Sequence, residues 1–234
     1  MPAEPIKIER FLANLPLFRE LAPDELERIA AGTHEQHVAR GNIVFHKGDP
    51  CNGLHVVVYG QVKLAFTSPA GDEKVVELIG PGQSFGEALM FMEKPYVVYA
   101  QALTDSLLLH VSKAVVFDEI ERQPRLARRM IAGLSRRLHG LVADLEAYSL
   151  RSGTQRVIGF LLRAEDTQED GTAELQLPAS KSIIASRLNL TPEHFSRILH
   201  ELTATRLIEV SGRTVRILDL AGLRAYEGRQ RGGA

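Results

Sequence analysis

Glu193, Ser196 and Arg197 stand three and one residues apart within TPEHFSRILHEL, and as a set they carry the chemistry of reading nucleic-acid bases. A guanidinium pairs in bidentate fashion with guanine O6 and N7, a carboxylate accepts from an exocyclic amine, and a hydroxyl adapts to its neighbour. The spacing predicts all three on one face of a helix, with His194 and His200 outside or on the flank. Phe195, Ile198, Leu199 and Leu202 recur as the opposite, apolar face. Packing demands those four; it does not demand Glu, Ser and Arg together on the other side.

Local signals place this helix. Thr191 is a good N-cap, with Pro192 at the first helical position and Glu193 in the first turn. Upstream, Ser180 caps another helix carrying Ile183, Ile184 and Leu188, and Asn189 suits the left-handed backbone of a tight turn. Downstream, Leu207–Val210 and Arg213–Leu218 read as strands around Ser211-Gly212, a hairpin signal. Arg213 and Arg216 are expected at the hairpin tip and on its outer edge, within reach of phosphate. Pro178 to Leu218 therefore reads as a winged helix-turn-helix. Its candidate DNA-contacting set is Ser180, Thr191, Glu193, His194, Ser196, Arg197, His200 and Arg213. A plain helical hairpin, or a winged helix that docks to protein, is the rival reading. The latter predicts no salt-dependent DNA binding and no effect of charge reversal at Arg197 and Arg213.

The rest of the chain must hold and control that helix. Its 234 residues suffice for two modest domains. Net charge is -1, and from Gly153 onward 11 Lys and Arg face 10 Asp and Glu, so phosphate contacts must be local. The segment MPAEPIKIERF has no apolar stretch long enough for a signal peptide or a span, which predicts a cytoplasmic protein without a membrane partner. Cys51 is the single cysteine, which excludes an internal disulfide and a four-cysteine zinc or iron–sulfur site.

Residues 8–33 look helical, with Phe11, Leu12 and Leu15 before Pro16 and Leu21, Leu26, Ile29 and Ala30 after it. From Val38 to Val111 short apolar runs alternate with turn clusters such as Lys47-Gly48-Asp49-Pro50, Pro69-Ala70-Gly71-Asp72 and Gly80-Pro81-Gly82, the pattern of a sandwich, barrel or jelly roll. Pro124 to Ser149 then reads as one long helix. Leu134, Leu138, Leu141, Leu145 and Tyr148 step by four, three, four and three, a coiled-coil seam that predicts a parallel homodimer over a helix lying on its own domain. Glu165 to Thr172 reads as a solvated loop. The expected class is α+β: a β-roll with N-terminal helices over 1–122, a dimerisation helix over 123–151 and a winged helix-turn-helix over 152–234. An enzyme of the cupin type would need clustered metal ligands, whereas His46 and His55 stand apart; a non-enzyme is expected.

This order resembles the CRP/FNR family of bacterial transcription regulators over nearly the whole chain. The resemblance rests on Arg40-Gly41 with Gly48, Gly60 with Val62-Lys63, Phe85-Gly86-Glu87, and Thr191-Pro192-Glu193-His194-Phe195-Ser196-Arg197. It implies a cyclic-nucleotide-binding-like roll, a ligand-responsive homodimer, and activation of transcription with RNA polymerase as a partner. In the FNR-like branch the reading helix presents E-x-x-S-R, here Glu193, Ser196 and Arg197. The CRP-like branch has an arginine immediately before the Glu, where this chain has Pro192. The resemblance thus implies a palindrome of TTGA-type half-sites.

Cyclic-nucleotide-binding members follow Phe-Gly-Glu with an arginine that neutralises the cyclic phosphate; here Tyr96-Val97-Val98 fills that place. A buried phosphate without its cation is costly, which argues against cyclic AMP. The segment EALMFMEKP is similar to the branch that responds to nitric oxide, and so implies haem as a candidate cofactor, with another small metabolite as the alternative. Gly86, Glu87, Met90, Phe91, Met92 and Leu138 make the candidate effector pocket, with plain core packing of the apolar residues as the rival reading. Candidate axial ligands are His34, His37, His55, His110 and His139, with Cys51 as a thiolate option; the first 33 residues hold neither His nor Cys, which argues against ligation from the N-terminal helices. Ligand in the roll is expected to shift packing near Leu134 to Leu145 and so reorient the two reading helices.

Overall fold

A computed structural model describes residues 7–15, 18, 21–68, 71, 73–150, 152–163, 166–167 and 173–226. Within its helices and strands, the side chains of Arg137, Leu141, residues 143–150, Arg163, Asp166 and Thr167 are also outside the description. Pro16, most of the turn at 69–72 and most of the 165–172 segment therefore lie outside the described residues, as do the seam side chains of Leu141, Leu145 and Tyr148. The chain forms two compact units, Met1–Gly140 and Leu141–Ala234.

The first unit runs α1 (Ile8–Ala13), α2 (Pro23–Ala31), β1 (Thr33–Val38), β2 (Ile43–Phe45), β3 (Gly53–Tyr59), β4 (Val62–Thr67), β5 (Glu73–Ile79), β6 (Ser84–Phe85), α3 (Glu87–Phe91), β7 (Tyr99–Ala102), β8 (Ser106–Ser112), α4 (Lys113–Arg122) and α5 (Pro124–Leu150), the last continuing past the unit's end. Its strands make two antiparallel sheets, ordered β1-β8-β3-β6 and β2-β7-β4-β5. The core joins Leu54, Val56, Phe85 and Leu108 of the first sheet to Val62, Leu64 and Ala100 of the second. Leu12, Ile29, Leu126 and Met130 close it from the helices, and Phe18 from the stretch between α1 and α2. Each such side chain larger than alanine contributes about 1.5–3 kcal/mol by leaving water.

The roll begins earlier than the apolar pattern predicts. β1 is a full partner of β8 from Thr33 to Val38, yet of its residues THEQHV only the two ends are buried. An edge strand needs one neighbour for its backbone and few apolar side chains, so its sequence reads as a continuation of the preceding helix or as loop.

One polar contact fixes α2 to α4. Arg28 Nε and Nη2 donate to the two oxygens of Glu119 at 2.8 and 2.9 Å, and Nη1 donates to Asp24 at 2.9 Å. The Glu119 side chain is only 2% exposed, and the Arg28 hydrogen bonds hold its carboxyl below the ordinary value of 4.5. A carboxyl lowered on folding stabilises the fold above its unfolded value, and that contribution is lost as pH falls through the folded one. Glu119→Gln is therefore expected to lower the thermal midpoint at pH 7. The gap to wild type should shrink below pH 4.5; a gap independent of pH, read by thermal unfolding, would contradict this.

The second unit runs α6 (Gly153–Arg163), β9 (Asp166–Thr167), β10 (Ala173–Gln176), α7 (Lys181–Arg187), α8 (Pro192–Ala204), β11 (Ile208–Ser211), β12 (Thr214–Ile217) and α9 (Leu220–Ala225). Val157, Leu161, Leu175, Ile184, Phe195, Leu199, Leu202 and Val215 are buried within it, as the apolar face of the reading helix requires. The sheet order is β11-β12-β10-β9. The expected loop at 165–172 thus contains a two-residue strand, paired through Thr167 with Ala173 and Asp166 with Glu174. The wing turn also lies one residue later than predicted: Ser211 pairs with Thr214, leaving Gly212-Arg213 as the two-residue loop, with Gly212 at φ +60. Cross-strand pairing, not the local Ser-Gly signal, sets that register. Among the described residues no helix is long and apolar enough to cross a membrane.

Candidate nucleic-acid interface and effector cavity

Each helix of the helix-turn-helix is capped at its N-terminus by its own side chain. Ser180 Oγ accepts from the Ile183 amide at 3.4 Å and opens α7; Thr191 Oγ1 accepts from the His194 amide at 3.2 Å and opens α8. Between them Asn189 takes φ +56, and the Leu190 amide donates to the Ala185 carbonyl at 2.9 Å, which reverses the chain. Arg156 on α6 was not foreseen from sequence. Its Nη1 donates to the carbonyls of Leu188 and Asn189 at 2.7 and 3.2 Å, holding the turn from behind.

On α8, Glu193, Arg197 and His200 are exposed and Ser196 is half-buried. The helix N-terminal amide and the Thr191 hydroxyl hold the Glu193 carboxyl below its ordinary range, so it is a charged acceptor at neutral pH. His194 is half-buried instead: a Cβ on Gly153 would meet its ring at 3.1 Å, which places it against the start of α6. Arg213 is also engaged. Its Nε and Nη2 donate to the Leu177 carbonyl at 3.2 and 2.8 Å, tying the wing turn to the segment that leads into α7. Arg216 is not on an outer edge, because β12 is an interior strand; it lies 3.6 Å from Glu174 and 3.7 Å from Glu209 on the neighbouring strands. The polar face that α8 presents is Glu193, Arg197 and His200, with Ser196 half-buried beside them.

In the first unit a cavity of about 250 Å³ lies between the roll and α5. Glu77, Ile79, Ser84 and Glu87 line it from the roll, and Met130, Gly133, Leu134 and Arg136 from the helix. Of the residues expected to form the effector pocket, only Glu87 is in that lining. Gly86 makes the left-handed entry to α3 at φ +96, where a Cβ would press on the Gly53 carbonyl. α3 has five residues, so its neighbours point in different directions: Met90 is fully buried in the core, and Phe91 stacks on Phe117 at 5.7 Å. Met92, just beyond α3, is 56% exposed. Leu138 is 63% exposed on α5. Tyr96 is buried and stacks on Phe45 at 3.5 Å, so no cation stands in the place where the resemblance would put one. The guanidinium in the cavity is Arg136, brought by α5, and neither it nor Glu77 had a local sequence signal.

The candidate ligating groups gather away from this cavity. His34, His110 and His55 stand opposite one another on β1, β8 and β3. Their ring centres are 4.6 Å apart for His34 and His110, and 4.8 Å for His110 and His55. His55 is 5% exposed and stacks on Phe85. Burial, reinforced by its neighbours, pushes His55 down to about 3 and lowers His110 as well. His37 is exposed beside Glu35, His139 is exposed on α5, and the Cys51 thiol is buried, donating toward the carbonyls of Gly53 and Gly86.

Comparisons with known proteins agree with both units. Residues 35–123 match the cyclic nucleotide-binding domain, and residues 155–226 match the Crp-like helix-turn-helix domain. The crystal structure of DNR from Pseudomonas aeruginosa is 32% identical, over 94% of this chain and 97% of that one, with a TM-score of 0.52. The cyclic AMP receptor protein of Thermus thermophilus is 29% identical over 88% of this chain and 94% of its own. FixK2 from Bradyrhizobium japonicum shares the fold at 21% identity, over 85% of this chain and 98% of its own, with a TM-score of 0.74.

Proposed function

This chain belongs to the CRP/FNR family of DNA-binding transcription regulators, and from that premise we propose that it reads a palindrome of TTGA-type half-sites as a homodimer and activates transcription in response to a small ligand. The observation that carries the reading is the Glu193, Ser196 and Arg197 face of α8, with Glu193 and Arg197 exposed and Ser196 half-buried between them, set on a capped turn. The E-x-x-S-R order supports the FNR-like half-site, and Pro192 in place of an arginine separates it from the CRP-like one. Exposed Ile131 and Leu138 on α5 supply the seam of the dimer, together with Leu134 and, by spacing, Leu141, Leu145 and Tyr148. The two reading helices then enter successive major grooves about one helical turn apart, and RNA polymerase is the expected partner of the bound dimer.

Likeness to DNR and to the nitric-oxide-responsive branch favours haem as the sensing group. The cavity does not fit it. Pockets for drug-sized ligands run from about 300 to 1,000 Å³, and a haem macrocycle exceeds such ligands, while no His or Cys is in the cavity lining. The cavity, with Glu77, Glu87 and Arg136, suits a small polar metabolite that donates to carboxylates. The experiment is a binding-site selection with purified protein, followed by affinity for the recovered operator at fixed salt. Enrichment of TTGA-type inverted repeats is the expected result; recovery of no consensus, or of single unpaired half-sites, would overturn the reading.

A further inference from the structure

We propose that the His34–His110 pair, on the edge strand β1 and its neighbour β8, is a clip for a divalent first-row metal ion of the nickel or copper class, with His55 as the buried ring behind it. The site is independent of the cavity and of the DNA-reading face. Three features carry it. The first is register: His34 and His110 are directly opposite on antiparallel strands, as His110 and His55 are on the next pair. Side chains so placed start from Cβ atoms about 5 Å apart and reach a common point.

The second is spacing. Imidazole nitrogens ligate at about 2.0–2.1 Å, so two rings bound side by side to one ion have centres about 5 Å apart. The observed 4.6 Å between His34 and His110 already meets that condition. The third is an unmet need. Nδ1 of His110 and Nδ1 of His55 are buried with no hydrogen-bond partner, a state that native structures seldom leave unexplained. A bound ion, or water held on it, supplies what these nitrogens lack.

The fold leaves room and access. A Cβ on Gly53 would collide with the His110 ring at 2.7 Å, so glycine there gives the ring its place. His34 is exposed on an edge strand, open to solvent. Among the described residues no three His, Cys, Asp or Glu side chains are arranged to hold one ion. The site is thus a two-imidazole clip whose remaining positions belong to water, which suits nickel and copper better than a closed tetrahedral zinc site.

The test uses the full chain. Nickel and copper chlorides are titrated by calorimetry into wild type, His34→Gln, His110→Gln and the control His37→Gln, with copper followed by electron paramagnetic resonance. One ion per chain is expected, with two-nitrogen splitting, affinity at least tenfold weaker in His34→Gln and His110→Gln, and no change in His37→Gln. His34 is exposed, so its variant keeps the test valid if His110→Gln folds poorly. Absence of saturable binding, unchanged affinity in His34→Gln, or splitting from a single nitrogen would each overturn the proposal.

Discussion

Leu138→Glu is expected to leave the protein monomeric in sedimentation and to weaken operator binding by about 10²- to 10⁴-fold. The argument begins from exposure. Ile131 and Leu138 present more than half of their surface on α5, and Val142 does so as well, whereas a helix lying on its own domain would hide such residues. They fall seven and four apart along the helix, the interval of a two-stranded seam. A carboxylate at Leu138 places two like charges across a symmetric interface and removes the apolar area that drives pairing. Once the subunits part, each half-site is bound alone, and the loss equals the effective-concentration advantage of linking the two, about 10² to 10⁴. The fold should be intact, since the side chain touches solvent now; unchanged far-ultraviolet dichroism alongside a halved mass is the expected signature. A variant that remains dimeric and binds the operator as wild type does would refute the seam.

Arg197→Ala comes second in size. An arginine paired with guanine O6 and N7 contributes about 1–3 kcal/mol of discrimination per half-site, and a dimer loses that twice. The expected outcome is a binding-site selection in which the guanine of the half-site is no longer preferred, with affinity for other sequences little changed. Arg197→Lys should not restore it, because an ammonium lacks the planar fork. Glu193→Ala is expected to relax preference at the base pair whose exocyclic amine it receives. If Arg197 touched only phosphate, its loss would weaken all sequences alike and reduce the salt slope by about 1 per contact. Selection and salt titration together separate these cases. Arg213 provides a contrast. Its bond to the Leu177 carbonyl makes it a positioning residue for the wing, so its loss should act on affinity across sequences.

What could be read from the chain divides by range. The helix-turn-helix was legible because its signals are local: Ser180 and Thr191 bond to amides three residues on, and Asn189 takes its left-handed turn by itself. The long helix from Pro124 was equally legible, since an apolar interval repeats within it. The wing turn slipped by one residue because Ser211 and Gly212 both favour turns, and the choice is made by the partner strand. β1 escaped notice because an edge strand carrying Glu35, Gln36 and His37 has no apolar alternation to read. The cavity does not coincide with the pocket expected around Met90, Phe91 and Met92, because residues adjacent in sequence at a short helix and its end point in different directions. The cavity's lining brings Glu77 to Arg136 across 59 positions of chain, and only the tertiary fold sets them together. The histidine pair is of the same kind, being joined by strand register alone.

Leu134 belongs to two surfaces at once, since it lines the cavity and falls on the heptad interval of the exposed face. If that face pairs, filling the cavity and associating the subunits are thermodynamically reciprocal, and any factor by which ligand strengthens association must equally strengthen ligand binding. The apparent affinity for effector then depends on how much protein is in the tube. A ligand search conducted at low protein concentration would underestimate every true effector. Conversely, a screen that reads subunit association could find the effector without knowing its chemistry beforehand.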